Sequence, residues 1–151
     1  VTSSKETLTP VLLVQAATRL CALPLASVVE IMRPLPLRAF AGAPEFVSGM
    51  AVVRGASVPV VDLCCLLGSE RAEGQRWIAL EYQGASAVLW ADRVLGVRAL
   101  DTSRLTRAPR LLGEANSRVQ LLGNLDGELL VLLDTGRLLP AGAWPEAEPK
   151  T

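Results

Sequence analysis

The side chains in this 151-residue chain that could do chemistry are three cysteines, fifteen carboxylates, two lysines and a set of arginines; histidine is absent. Without histidine there is no Ser-His-Asp or Cys-His activation of a nucleophile, no imidazole general base, and none of the commonest metal ligand. Lys5 and Lys150 both fall in segments that read as tails, which leaves no lysine to be desolvated in a core. Cys21, Cys64 and Cys65 form an odd set without metal-ligand spacing. Cys64 and Cys65 sit in the apolar run Leu63 to Leu67, where a buried thiol behaves as a small hydrophobe, whereas a reactive thiolate needs an electropositive, exposed setting. Asp62 and Asp134 could be imagined as a paired-carboxylate acid/base site. Each, however, precedes a Leu pair (Leu66-Leu67 and Leu138-Leu139), which is the setting of a helix N-cap. No Gly-rich phosphate loop or Walker pattern occurs. The residues point to no catalysis, no metal and no cofactor.

The elements that must position these side chains are short strands. Half of the composition is apolar and Lys+Arg 15 balances Asp+Glu 15, so a sizeable core is available and nothing draws the chain to nucleic acid or an anionic membrane. The longest uncharged runs are far shorter than a membrane helix, and the polar start lacks the apolar centre of a secretory signal. A soluble cytoplasmic protein is expected, with no direct membrane insertion. Val11–Gln15, Leu20–Leu25, Met50–Val53, Val58–Val61, Trp77–Tyr82, Ala87–Trp90, Val119–Leu125 and Leu129–Leu133 read as strands. Ser27–Met32 suits a helical turn, Asp92–Leu95 a short turn, and Asp101–Ser117 a loop. Arg54-Gly55 and Asp126-Gly127 suit tight hairpin turns. Residues 1–10 and 140–151 read as tails, around a folded region at 11–139.

The halves repeat. A shift of 72 takes Arg54-Gly55 to Asp126-Gly127, Asp62 to Asp134, and Leu66-Leu67 to Leu138-Leu139. A shift of 66 takes Leu23, Val28 and Ile31 to Leu89, Val94 and Val97. These coincidences predict two copies of one barrel-like unit, interleaved at approximately 11–75 and 76–139. A unit of that size is marginal alone, so each should bury apolar surface against the other.

From Val11 to Leu139 the chain resembles the CheW-like family. The resemblance is carried by Ala22–Ile31, Pro44–Met50, Ala91–Val97, Leu125–Asp134 and, most specifically, Gly49–Leu63 with its Val52-Val53-Arg54-Gly55. The family's usual Asn-Leu-Arg-Gly has lost its Asn here, which marks a divergent paralogue. The resemblance implies an all-β fold of two SH3-like five-stranded barrels with short helical turns. It also implies a non-enzymatic adaptor in cytoplasmic arrays at the membrane. The partners would be the cytoplasmic tip of methyl-accepting chemoreceptors, the regulatory domain of a CheA-type histidine kinase, and other CheW-like domains. The receptor-facing groove would be lined by Val28, Glu30, Ile31, Gly49, Arg54 and Gly55, with the kinase-binding residues unassigned. An accessory protein that binds only receptor or only kinase is the alternative, followed by a small-ligand barrel or a carboxylate enzyme.

Overall fold

The computed structural model describes residues 8–39, 41–68, 70, 73–101, 106–107, 119–125 and 128–133. Eleven strands occur among them: β1 (Leu8–Ala16), β2 (Arg19–Pro24), β3 (Val28–Met32), β4 (Val47–Val53), β5 (Ala56–Asp62), β6 (Arg76–Tyr82), β7 (Ala85–Ala91), β8 (Arg93–Asp101), β9 (Thr106–Arg107), β10 (Val119–Leu125) and β11 (Glu128–Leu133). A 3-10 turn at Leu25–Ser27 and one short helix, α1 (Leu63–Leu66), complete the elements. The strands form two sheets, ordered β8-β1-β2-β11-β10-β9 and β3-β6-β7-β5-β4. These are two small barrels, the first extended by the two-residue β9.

The second sheet is built from the unbroken run β3–β7, and the first from the strands on either side of it. A division near residue 75 is replaced by a reciprocal exchange, in which β3 leaves β1–β2 to pair with β6, and β8 leaves β6–β7 to pair with β1. The register reproduces the repeat residue by residue. Val60 pairs with Val88 where β5 meets β7 in parallel, and Leu132 pairs with Ala22 where β11 meets β2. Val28↔Leu80, Glu30↔Ala79 and Ile31↔Ile78 are matched by Val94↔Val14, Gly96↔Leu13 and Val97↔Leu12. Both ladders carry a bulge at the same place.

Two turn expectations are corrected. Ser27–Met32 is not a helical turn: the turn ends at Ser27 and Val28–Met32 is strand. Asp92–Leu95 is likewise strand from Arg93 onward. In both stretches β-branched side chains meet a waiting edge, β6 or β1, and the ladder overrides local turn character. Within the segment read as a loop, β8 runs to Asp101, and Thr106–Arg107 pairs with β10. Asp126-Gly127, Asp134, Leu138-Leu139 and both chain ends beyond 8 and 133 lie outside the described residues.

The hairpin turns follow backbone rules. Arg54 and Gly55 both take positive φ (52° and 85°), as do Gln83 and Gly84 (50° and 85°), which is the two-residue I′ geometry that matches strand twist. Pro34 and Pro36 cannot continue a ladder, so β3 stops at Met32 while its counterpart β8 runs on to Asp101.

Most strands are buried on both faces. Val11 and Leu13 of β1 join Leu20, Ala22, Leu130 and Leu132 inside the first barrel, while Leu12, Val14 and Ala16 face the second. Val58, Val60, Trp77 and Val88 fill the second barrel. Between them lies the largest cluster, with Leu23, Val131 and Leu133 from one side and Leu63, Ile78 and Leu89 from the other. Fully buried Trp77 stands edge-on to Trp90, with centroids 6.0 Å apart, and its Nε1–H has no acceptor among the described residues.

Because one cluster joins the barrels, they should unfold together. Leu89→Ala, and Leu23→Ala at the corresponding place, are each expected to cost about 2–5 kcal/mol. Denaturant unfolding of each variant should give a single transition of unchanged slope. Separate transitions for the two barrels would contradict the shared core.

Candidate functional site

The second barrel is an open sheet whose end strands are β3 and β4. Across the gap between those ends, Glu30 of β3 meets Arg54 of the β4–β5 turn. Arg54 Nε donates to Glu30 Oε1 at 2.6 Å. The Arg54 side chain is 74% exposed and that of Glu30 is 30% exposed, so the pair stands on the surface. The hydrogen bond from Arg54, outweighing a small desolvation effect, holds the Glu30 carboxyl below the usual carboxylate range, and both side chains stay charged across physiological pH. Positive φ at Arg54 and Gly55 tips this turn so that the guanidinium can reach β3.

The other groove candidates are placed as follows. Val28 packs against the shared core and Ile31 is exposed on β3. Gly55 is the second turn residue. Gly49 is buried in β4 at φ +151, and a Cβ there would stand 2.5 Å from the carbonyl oxygen of Arg38. The chain after β3 is bound at this point: Arg38 N donates to Met50 O and Met50 N to Arg38 O, each at 2.8 Å. Gly49 thus lets the Arg33–Arg38 segment lie across the edge of β4. Asp62 accepts from Cys65 N at 3.1 Å at the start of α1, and its own N–H donates to Phe46 O. Asp134 lies outside the described residues.

Two features were not anticipated by the sequence reasoning. One is a cavity of about 200 Å³ beside the ion pair, lined by Val29, Val53, Ala56, Val58, Leu80 and Val88 among others. Exposed Val29, left unpaired by the bulge, stands at its rim. The other is Asp92, where β7 crosses over to β8. Its Oδ2 accepts from Ala17 N (2.7 Å) and Cys64 Sγ (3.3 Å), and its Oδ1 accepts from Glu73 N (2.8 Å) and Gly74 N (2.9 Å). Its own N–H donates to Gln15 O. One carboxylate therefore ties the first β-hairpin to α1 and to the segment leading into β6. Gly74 is required there, because a Cβ would collide with the Asp92 backbone, and its carbonyl accepts from Trp90 Nε1 at 2.8 Å. The signal in the sequence was faint: an Asp at the end of an apolar strand, and a Gly in a polar linker.

Two of the three thiols, Cys21 and Cys64, are quiet. Burial pushes Cys21 up to about 12; burial first, then the Asp92 carboxylate, pushes Cys64 to about 12. Among the described residues, no group of three or more Cys, Asp or Glu side chains could hold a metal ion.

Two outcomes follow. Asp92→Asn loses acceptors for N–H groups already in place and should destabilise the fold by about 1–3 kcal/mol. Desolvation raises the Asp92 pKa, but the Ala17, Glu73, Gly74 and Cys64 donors outweigh it, so the folded value lies below the ordinary one. Its stabilisation is complete above about pH 4 and is lost as pH falls through that lower value. The mutant and wild-type stability curves should therefore converge in acid; a constant gap at every pH would refute this. Separately, Cys21 and Cys64 should resist thiol reagents at pH 7.5 until denaturant is added, which mass spectrometry of alkylated protein would read directly.

The CheW-like domain matches this chain over residues 10–142. The fold is similar to that of the scaffolding protein TtCheW from Thermoanaerobacter tengcongensis, with a TM-score of 0.73 and 22% sequence identity over 83% of this chain and 88% of that one. No curated protein matches. The family match spans nearly the whole of the two exchanged barrels, and the chain belongs to the CheW-like domain family.

Proposed function

We propose that this protein is a non-enzymatic adaptor joining the cytoplasmic tip of chemoreceptors to the regulatory domain of a CheA-type histidine kinase. Its place would be cytoplasmic, at membrane-associated receptor arrays, held there by its partners; no helix among the described residues is long and apolar enough to cross a membrane. Members of the CheW-like family are scaffolds without catalytic activity, and neither the quiet thiols nor the capping and cross-linking carboxylates offer a reaction centre.

The observation that carries the reading is the exposed Glu30–Arg54 pair on a face that also presents apolar area. Val29 is exposed at the rim and Val53, Val58 and Leu80 line the cavity beside these charges, while Ile31 and Val52 are large exposed side chains on the same two end strands. An apolar patch with one fixed ion pair suits an amphipathic helix: side chains of the helix cover the aliphatic area while Arg54 and Glu30 set its register. In this reading Ile31 supplies contact area, Glu30 orients, Arg54 and Gly55 form the projecting turn, and Val28 and Gly49 hold the face in shape.

Reversing one charge tests it. Arg54→Glu places two carboxylates together and opposes any acidic group that a receptor helix brings to this face. Receptor-tip affinity should fall at least about tenfold, because like-charge juxtaposition at interfaces is costly. The melting temperature should stay nearly unchanged, as is usual for exposed ion pairs, and the kinase regulatory domain should still bind. Unchanged receptor affinity would reject this face; a large drop in melting temperature would make Arg54 a fold residue instead.

A further inference from the structure

The internal repeat allows one barrel to be checked against the other, and they differ in one telling place. Inside the first barrel, Leu13 and Leu20 are both buried in its core. The corresponding positions in the second barrel are Ala79 and Ser86, and both line the cavity of about 200 Å³. Part of the surrounding wall is preserved in kind: Val58 stands where the first barrel has Leu130, and Val88 where it has Ala22. Trp77 adds bulk to the second barrel, but it does so where β6 meets Trp90 and Met32, away from Ser86, which pairs with Glu81. Two leucine side chains that help fill the first barrel are therefore missing at this void.

We infer that this cavity is a socket for one branched aliphatic side chain of the docked receptor helix, kept open by Ala79 and Ser86. This rests on the reading of the Glu30–Arg54 face as the receptor-docking surface. The size suits the guest, since an apolar protein cavity of about 150 Å³ already accommodates benzene. The repeat supplies its chemistry, because leucine is what fills the same frame when the chain fills it from within. Charge supplies the neighbour. Glu30, Arg54 and Glu81 line the mouth, and the Arg54 bond to Glu30 uses Nε, leaving its two terminal amino groups for another acceptor. A helix presenting a leucine or isoleucine next to an acidic residue would place the first in the socket and the second against Arg54. Ala79 and Ser86 then act as specificity-determining residues, since a larger side chain at either closes the socket.

Filling the socket from within is the test. In Ser86→Leu the second barrel gains the residue that the first carries at Leu20. The melting temperature should hold or rise, receptor-tip affinity should fall at least about tenfold, and kinase regulatory-domain affinity should not change. An alanine scan of the tip's aliphatic residues should find one position whose loss matters to the wild-type protein but not to Ser86→Leu. If Ser86→Leu melts markedly lower, Ser86→Val is held to the same criteria. Unchanged receptor affinity in the filled variant, with affinity lost in Arg54→Glu, overturns the socket and leaves the face standing. Unchanged affinity in both overturns the face as well. A loss confined to the kinase domain overturns the assignment of the socket to the receptor.

Discussion

Burial of β1, β2, β5, β6, β7 and β11 on both faces is the constraint from which the rest of the structure follows. A strand covered on one side can alternate apolar and polar residues. These strands cannot, and they read as nearly continuous aliphatic runs such as Val11–Val14 and Ala87–Leu89. Neither barrel can satisfy both faces alone. Each closes around its own interior cluster and leaves an outer apolar face that only the other barrel can cover. The exchange of β3 and β8 fastens that arrangement through the backbone, and Asp92 fastens it again where one of the exchanged strands begins.

Against this shared frame, the two copies differ at a few places. At the bulge, Glu30 in the second barrel corresponds to Gly96 in the first, so the charge is carried by one copy only. The second barrel also has the shortened β3, the Arg33–Arg38 segment laid over Gly49, and the small residues around the cavity. Duplication sets the core, and departure from the duplicate sets the surface.

Much of the architecture could be read from the sequence because a repeat tests itself. Two offsets, 66 and 72, drawn from aliphatic positions and turn residues, correspond to register shifts in the actual ladders. What sequence could not reveal was partner choice among strands. Val28–Met32 looks the same whether it continues the first barrel or crosses to the second, because strand exchange changes no residue type and no spacing. Side-chain function was less legible still. Arg54 stood out through its turn, but its reach to Glu30 depends on two chain ends meeting across a gap. Asp92 accepts from four groups drawn from three separate segments, a convergence that no local pattern encodes. The cavity is defined by what Ala79 and Ser86 lack, which becomes visible only when the two barrels are superimposed on one register.

The exchange has a consequence for how the chain comes into being on the ribosome. β3 to β7 form an unbroken stretch of sequence, and their sheet can close as soon as Ala91 has emerged. β1 and β2 emerge earlier and can pair with each other, yet the other edge of β2 has no partner until Leu130 and the rest of β11 arrive. At ordinary translation rates that interval is on the order of ten seconds. During it, two of the most apolar runs in the protein wait with one edge and one face uncovered. The nascent chain thus completes the barrel of β3–β7 first, and that barrel offers the surface against which the opening strands are sheltered until the last ones join them.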